Sequence, residues 1–275
     1  AWGGPMMRID WLEKLNLSTP VTYDDWYNTL LAFKEQLGIK NPLWLVTSSV
    51  DQGMGLIGGY GVNNTFYNEN GTVKYGPMEQ GYREYLAMLA DWYKKGLIYE
   101  NWAGTVSGDD TAAISNGEVG ATTFAAYTSR EINKATSTDP DFKWEAVRMP
   151  SKDGSPTKFR MVNPIAGGGG KFITATAVDR GVDTLAARWI DALYTEELAF
   201  IQNYGEEGVH WELGNDGIPH FTDAVLSNPD YTPTEMIYLV TDAFNTSYYM
   251  WIRENDMLQP ETVDVCNRCM ESATG

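Results

Sequence analysis

The chain has 275 residues, 43% of them hydrophobic and 21% charged, enough to bury one sizeable core or two modest ones and too apolar for global disorder. Its 37 acidic residues against 20 basic ones give a formal charge of −17, which repels phosphate backbones and anionic lipid surfaces and so argues against nucleic-acid or peripheral membrane binding. The longest uncharged stretches, Asn41–Val50 and Met161–Gly170, are too short and too polar or glycine-rich to cross a bilayer.

In chain order, Thr22 to Gly38 reads as a helix. Thr22 caps it, Asp25 completes a capping box, and Trp26, Leu30, Phe33 and Leu37 recur at helical spacing before Gly38 ends the run. Leu43–Thr47 suits a buried strand, and a glycine-dense loop, Gly53 to Gly61, follows. Asn68-Glu69-Asn70-Gly71 is a turn signal between Phe66-Tyr67 and Val73-Tyr75. A second helix spans about Glu79 to Lys95, with Tyr82, Tyr85, Leu86, Leu89, Trp92 and Tyr93 on one face and Gly96 closing it.

A short helix is expected after Asp109, ending at Asn116-Gly117, then a strand at Val119–Phe124 and another short helix from Ser129 to Ala135. Phe142, Trp144 and Ala146 alternate as in a half-buried strand; Lys158–Val162 and Phe172–Ala177 are further strand candidates, separated by Pro164 and four glycines. Asp183 to Tyr204 is helical, with a break near Thr195 and an inner stripe of Leu185, Trp189, Ile190 and Leu193. Asn215-Asp216-Gly217 makes a hairpin turn between Trp211 and Phe221, and the text beyond Ser227 is helical and polar. Helices alternating with short strands indicate an α/β chain.

The chemistry-bearing patterns are weak. Gly53-Met54-Gly55-Leu56-Ile57-Gly58 can be written as a dinucleotide fingerprint, but Gly59-Tyr60-Gly61 cannot propagate the long helix that holds a pyrophosphate. Gly167 to Gly170 leads through Lys171-Phe172-Ile173 into a strand pattern, so it reads as a crossover and not a phosphate cradle. The carboxylate pairs Asp109-Asp110 and Glu206-Glu207 are adjacent in sequence, whereas glycoside hydrolysis needs two carboxyls facing each other across a sugar; solvated loop charge is the better reading. Cys266 and Cys269 have only His210 and His220 to join them as zinc ligands, and they follow an acidic, helical-looking stretch, which places them in a terminal helix without a metal. His210 and His220 are ten residues apart across the expected hairpin, so at most they could neighbour each other. No cofactor is expected. Ala1-Trp2-Gly3-Gly4-Pro5 lacks the basic start and apolar run of a secretory leader, which by itself favours the cytoplasm; a missing initiator Met marks a mature or truncated sequence.

The unusual feature is aromatic: 10 Trp, 16 Tyr and 9 Phe. Flat aromatic faces are what sugar rings stack on. Trp26, Trp92 and Trp189, at helical spacing, belong to the core; Tyr60, Trp102, Phe124, Tyr127 and Trp211, on loops, are freer to bind.

Five blocks then carry a family resemblance. Met7-Arg8-Ile9-Asp10-Trp11-Leu12-Glu13-Lys14-Leu15-Asn16-Leu17 resembles the R-x-D-W-L-x-K-L-G-L signature of family 1-like bacterial extracellular solute-binding proteins, in the lipoprotein branch that serves ABC transporters. Thr22-Tyr23-Asp24-Asp25-Trp26-Tyr27 is similar to the helix start that follows it there, and Leu89-Ala90-Asp91-Trp92-Tyr93-Lys94-Lys95-Gly96-Leu97-Ile98 to that branch's L-x-K-L-Y-x-E-G-L-I block. Ile114-Ser115-Asn116-Gly117-Glu118-Val119-Gly120-Ala121 resembles F-x-x-G-K-V-G-A, and Gln202-Asn203-Tyr204-Gly205-Glu206-Glu207-Gly208-Val209-His210-Trp211 resembles x-N-Y-G-I-E-G-V-H-W. The blocks cover roughly residues 5–220, in family order.

The resemblance implies an α/β fold of the periplasmic-binding-protein type II, a mixed sheet flanked by helices in each of two lobes that clasp a solute. Residues 1–160 would form most of the second lobe, 161–206 the crossover and return segment of the first, and 207–275 a C-terminal hairpin and helices. The family's N-terminal segment is missing, so the chain is expected to be a fragment. By matching position, solute-binding residues would be Ser48, Ser49, Asp51 and Gln52 after one strand, Phe124, Tyr127 and Thr128 after another, and Asn163, Pro164 and Gly167 at the crossover. The implied function is capture of an oligosaccharide, or of a peptide, by a non-catalytic receptor outside the cytoplasm, as a cell-surface lipoprotein or in the periplasm. Its partner would be an ABC transporter permease; a secreted carbohydrate-active enzyme and a sensory solute-binding module are the alternatives.

Overall fold

In a computed structural model, residues 3–45, 56–104, 110–126, 136–155, 157 and 172–241 are described. They fall into two compact units, one within 1–163 and the other within 164–259.

The first unit is built on a four-stranded mixed sheet of β1 (Gly3–Arg8), β2 (Leu43–Trp44), β5 (Ala121–Ala126) and β6 (Trp144–Ala146), in the order β2-β5-β1-β6. β2 runs parallel to β5, and β1 is antiparallel to both β5 and β6. Leu97–Tyr99 extends the sheet beyond β2: the Leu43 amide donates to the Leu97 carbonyl and the Tyr99 amide to the Leu43 carbonyl, both at 2.9 Å. β1 is central, yet it contains Pro5. The register explains the tolerance: it slips between Gly4 and Met6, where two residues of β5 face Pro5 alone, and a proline has no amide to contribute to a ladder.

Helix α1 (Ile9–Lys14) continues directly from β1, and α2 (Tyr23–Leu37) covers the sheet. The Thr22 hydroxyl accepts from the Asp25 amide while the Asp25 carboxylate accepts from the Thr22 amide, the expected capping box; Gly38, left-handed, closes the helix. Trp26, Leu30 and Phe33 are fully buried and meet Met7, Leu43 and Ala121 of the sheet in one core. The segment between β2 and α3 (Gln80–Lys94) includes a hairpin, β3 (Phe66–Glu69) and β4 (Thr72–Tyr75). Its turn is tighter than the four-residue signal: Asn70 and Gly71 both have positive φ, 53° and 86°, as the twist of a two-residue hairpin demands. On α3 the buried stripe is Tyr85, Leu89 and Trp92, while Leu86 and Tyr93, one position to the side, are exposed. Helix α4 (Asp110–Ser115) ends at Asn116-Gly117 as expected and leads into β5.

In the second unit, α5 (Ala175–Asp179) replaces the strand expected over Phe172–Ala177. The apolar alternation there is real, but the Thr174 hydroxyl accepts from the Ala177 amide and so opens a helix. α6 (Asp183–Ala192) and α7 (Glu196–Tyr204) break at Thr195, and Trp211 and Phe221 pair across the hairpin of β7 (Trp211–Leu213) and β8 (Pro219–Phe221). Helices α8 (Asp223–Leu226) and α9 (Pro233–Val240) follow. A small core gathers Tyr204, Trp211, Phe221, Val225, Met236 and Ile237.

Two aromatic assignments are corrected. Trp211 is not a free loop side chain: it is buried, stacks on Phe200 at 5.1 Å, and its indole N–H donates to the Gly205 carbonyl at 3.2 Å. Trp189 is not core, being 68% exposed. Its spacing is helical, but among the described residues nothing covers its face.

Candidate functional site

The parallel run of Leu97–Tyr99, β2 and β5 sends three carboxyl ends to one edge of the first unit's sheet. The amino end of β1 lies at that edge too, since Gly3 pairs with Ala126. Connectivity brings the amino ends of α2 and α3 to the same side, because each helix runs back toward the start of the strand that follows it. This edge is the usual binding position in an open α/β sheet.

Buried aromatic side chains scaffold the described part of this edge. Trp44, at the end of β2, stacks on Tyr99 with ring centroids 4.2 Å apart and planes 11° from parallel. The short 3-10 turn Ile57–Tyr60 brings the chain back to α2 and α3, where a glycine-rich nucleotide loop would have needed a long helix. The Tyr23 hydroxyl donates to the Leu56 carbonyl, and the Tyr23 and Tyr60 rings meet at 4.6 Å. Gly59 is required by this closeness: a Cβ there would fall 2.2 Å from the Pro150 carbonyl oxygen and 2.5 Å from the Tyr23 hydroxyl. Lys152 stands 4.8 Å over the Tyr60 ring and pairs with the Glu84 carboxylate.

Burial, reinforced by the Glu84 and Asp24 carboxylates, pushes the Tyr60 hydroxyl up to about 12. Burial first, then the neighbouring tyrosines, raises Tyr23 and Tyr85 as well. These hydroxyls therefore stay neutral at any physiological pH and cannot serve as bases. Glu84, the acid nearest to them, is held below its usual value, chiefly by its hydrogen bond from Lys152. Tyr23 and Tyr85 are buried in the first unit's core, so this cluster stiffens the scaffold behind the edge and does not itself face a solute.

Of the ten expected binding residues, Phe124 lies in β5, beside the slip in register opposite Pro5. Ser48, Ser49, Asp51, Gln52, Tyr127, Thr128, Asn163, Pro164 and Gly167 fall outside the described residues. The Trp44–Tyr99 stack and the Tyr23–Tyr60–Tyr85 cluster were missed by sequence reasoning. Tyr23 and Tyr85 read as helix-face residues, and nothing local marks Leu97–Tyr99 as a strand.

The remaining sequence candidates are accounted for or lie elsewhere. Glu206 and Glu207 are both exposed in the turn before β7, and the Glu206 amide donates to Nδ1 of His210 at 3.1 Å. His220 pairs instead with Asp216 at 3.2 Å and faces Glu212 across the hairpin, so the two histidines serve different partners. Asp110 opens α4 and is largely buried. Lys171, Cys266 and Cys269 are outside the described residues. Among the described residues no cluster of His, Cys, Asp or Glu is arranged to hold a metal, and no helix is long and apolar enough to cross a membrane.

Comparison with known proteins places this geometry. No family model matches the chain. It is 23% identical over 235 residues to lipoprotein LipO of Bacillus subtilis (strain 168), across 81% of this chain and 46% of that protein. It is 25% identical over 233 residues to the polygalacturonan/rhamnogalacturonan-binding protein YtcQ of the same bacterium, across 78% of this chain and 44% of that one. Among solved structures, the alginate-binding protein AlgQ2, crystallised without calcium ion, matches 98% of this chain and 56% of its own at a TM-score of 0.70 and 22% identity. The chain thus has the α/β fold of solute-binding proteins, and the resemblance read from the five sequence blocks is borne out. It spans less than half the length of either curated relative.

Proposed function

We propose that the chain is part of the extracytoplasmic solute-binding component of an ABC transporter, which captures an oligosaccharide without covalent chemistry and hands it to a permease. The observation that carries this reading is the coincidence of two matches: a relative named for polysaccharide binding and a solved alginate-binding protein both align over most of this chain. The convergence of the carboxyl ends of β2, β5 and Leu97–Tyr99 at one edge, the usual binding position in an open α/β sheet, supports it. In this reading residues 1–160 supply most of the second lobe, 161–206 the crossover and the return segment of the first, and 207–275 the C-terminal hairpin and helices.

Solute contacts would come from the loops after β2 and β5. Ser48, Ser49, Asp51 and Gln52 would bond hydroxyls, with Thr128 and the crossover residues Asn163, Pro164 and Gly167; Phe124 and Tyr127 would stack. The likeness to LipO supports surface anchoring as a lipoprotein. Non-catalytic capture fits the solvated, adjacent carboxylates Glu206 and Glu207, which do not face each other across a cleft.

The test is an intrinsic tryptophan fluorescence titration against a panel of plant and host oligosaccharides, run on this chain and on the protein as its gene encodes it. Saturable shifts for one glycan class, with the glycan recovered intact, are the expected result. Turnover of a bound glycan, abolished by Glu206→Gln or Glu207→Gln, would replace the receptor with an enzyme. Silence across the panel from both forms would end the carbohydrate reading.

A further inference from the structure

The β3–β4 hairpin is amphipathic the wrong way round. Its register places Tyr67, Glu69, Thr72 and Lys74 on one side of the ribbon and Phe66, Asn68, Val73 and Tyr75 on the other. The charges lie on the side that holds the ribbon to the body of the unit. Tyr67 is buried there, and Lys74 bridges Glu69 at 2.7 Å and Glu79, the residue before α3, at 3.4 Å. The apolar side is turned to water: Phe66 is 67% exposed, Val73 71%, and Met78, in the turn that follows, 82%, with Tyr75 exposed beside them. Asn70 and Gly71 hold the tip at positive φ, and the Gly71 amide donates to Asn68 Oδ1 at 2.8 Å, so the ribbon presents this side preformed. Apolar side chains gathered in water on one side of a pinned ribbon mark an interface.

We infer, on the reading of the chain as a transporter receptor, that the Phe66–Val73–Tyr75 side of this hairpin docks on the extracytoplasmic surface of the permease. Position argues for that partner. The ribbon is rooted at the candidate solute edge: it follows the Ile57–Tyr60 turn and leads into the amino end of α3, its base closed by the Gly76 amide on the Thr65 carbonyl at 3.1 Å. A receptor that hands over a solute must meet its acceptor on the side where the solute is held. Size argues against a second copy. A stable interface takes about 20–30 residues a side, and this patch has a handful, which suits a contact that must release in every transport cycle. Chemistry argues against a glycan. Val73 and Met78 have no group to bond a hydroxyl, Asn68 Oδ1 already accepts from Gly71, and the Phe66 and Tyr75 rings, 4.8 Å apart, are tilted by 38° and form no flat platform. A charge of −17 opposes an anionic lipid surface.

Site-specific photo-cross-linking tests it, in the protein as its gene encodes it and in cells that carry its transporter. The probe p-benzoylphenylalanine at Val73 or Met78 should form an adduct with a membrane-spanning ABC transporter subunit, identified by mass spectrometry. The yield should exceed by at least about tenfold that from the same probe at Lys40, which is exposed ahead of the amino end of β2, away from the solute edge. Phe66→Ser with Tyr75→Ser should cut the Met78 adduct at least about tenfold and leave the thermal midpoint within about 2 °C of the parent. Permease adducts at Lys40 and none at the hairpin would overturn the inference, as would a Met78 adduct indifferent to the two serines. Adducts at Val73 with a second copy of the chain, or with lipid, would overturn it and name the other occupant. Capture is read separately by the fluorescence titration, so a protein that binds glycan and gives no hairpin adduct loses this docking surface and keeps its receptor function.

Discussion

The guanidinium of Arg8 reaches the carboxylate of Asp139, 131 residues further along the chain, at 2.6 Å. It also forks onto Asp10, with Nε 2.8 Å from Oδ1 and Nη2 2.6 Å from Oδ2, and lies between the rings of Trp11 and Phe142, each 4.5 Å away. The side chain is fully enclosed. The first signature block is thus a clamp: Arg8, Asp10 and Trp11 bind the end of β1 and the start of α1 to the segment that leads into β6.

Removing Arg8 leaves Asp10 buried without its cation, so Arg8→Met should cost about 3–5 kcal/mol. Arg8→Lys keeps the charge but loses the fork and the planar stacking, and should still cost about 2 kcal/mol. Urea unfolding followed by tryptophan fluorescence measures both; a loss under about 0.5 kcal/mol for the methionine variant would mean the clamp is ornamental.

The capping box of α2 gives a milder prediction. Thr22→Ala removes the acceptor for the Asp25 amide and should lower stability by about 1 kcal/mol, read from the same unfolding curves. Thr22→Ser, which keeps the hydroxyl, should recover most of it.

Tyr23 and Tyr85 make a contrasting pair. The Tyr23 hydroxyl serves the Leu56 carbonyl in the interior, so Tyr23→Phe leaves an acceptor stranded and should cost about 1–2 kcal/mol. The Tyr85 hydroxyl is buried with no hydrogen-bond partner, and Tyr85→Phe should be neutral or stabilising by up to about 1 kcal/mol. Equal losses in the two variants would show that burial alone, and not pairing, sets their worth.

Acid should weaken the first unit through identifiable carboxylates. Burial alone would raise Asp139, but the Asp141 amide and the Arg8 guanidinium together hold it below its ordinary value; Asp25 is held down by the Thr22 amide and then the Thr22 side chain. A carboxyl lowered by folding adds stability above its ordinary value near 3.8 and loses it as pH falls through the folded value. Thermal midpoints should therefore fall steeply below about pH 4, and Asp139→Asn should start lower at neutral pH and show a shallower acid decline. An unchanged acid slope in that variant would remove Asp139 from the account.

What the sequence made legible was what is decided locally. The box at Thr22 and Asp25, the stop at Gly38, the break at Thr195 and the turn at Asp216-Gly217 are all set by neighbours within four residues, and each stands as read. What failed depended on distant partners. Trp189 has the spacing of a core residue, but burial belongs to the pair of surfaces and not to the stripe. Trp211 looked free on its loop and is buried because Phe200 lies beneath it. The strand pairing of Leu97–Tyr99 and the Arg8–Asp139 bridge link segments far apart in sequence, with no composition signal. The candidate site residues rest on family blocks alone, and the scaffold beside them, the tyrosine cluster and a stacked Trp44–Tyr99 pair, emerged only in three dimensions.

That scaffold fixes where a binding defect should appear. β5 carries Phe124 beside its bulge and ends at the edge where β2 and Leu97–Tyr99 also end; Tyr127, outside the described residues, follows it in sequence. If these two rings stack on solute, Phe124→Ala with Tyr127→Ala should weaken oligosaccharide binding by at least about tenfold, near 1.4 kcal/mol, while leaving the thermal midpoint within about 2 °C of the parent. Exposed Phe66→Ala with Tyr75→Ala on the β3–β4 hairpin, an aromatic pair of comparable size, serves as the control and should leave affinity unchanged. Calorimetric titration of both double variants, in the protein as its gene encodes it, separates the outcomes. A loss confined to the first pair places the solute at the carboxyl end of β5. Equal affinities would move it away from that strand, and a loss confined to the hairpin would relocate the stacking surface to Phe66 and Tyr75.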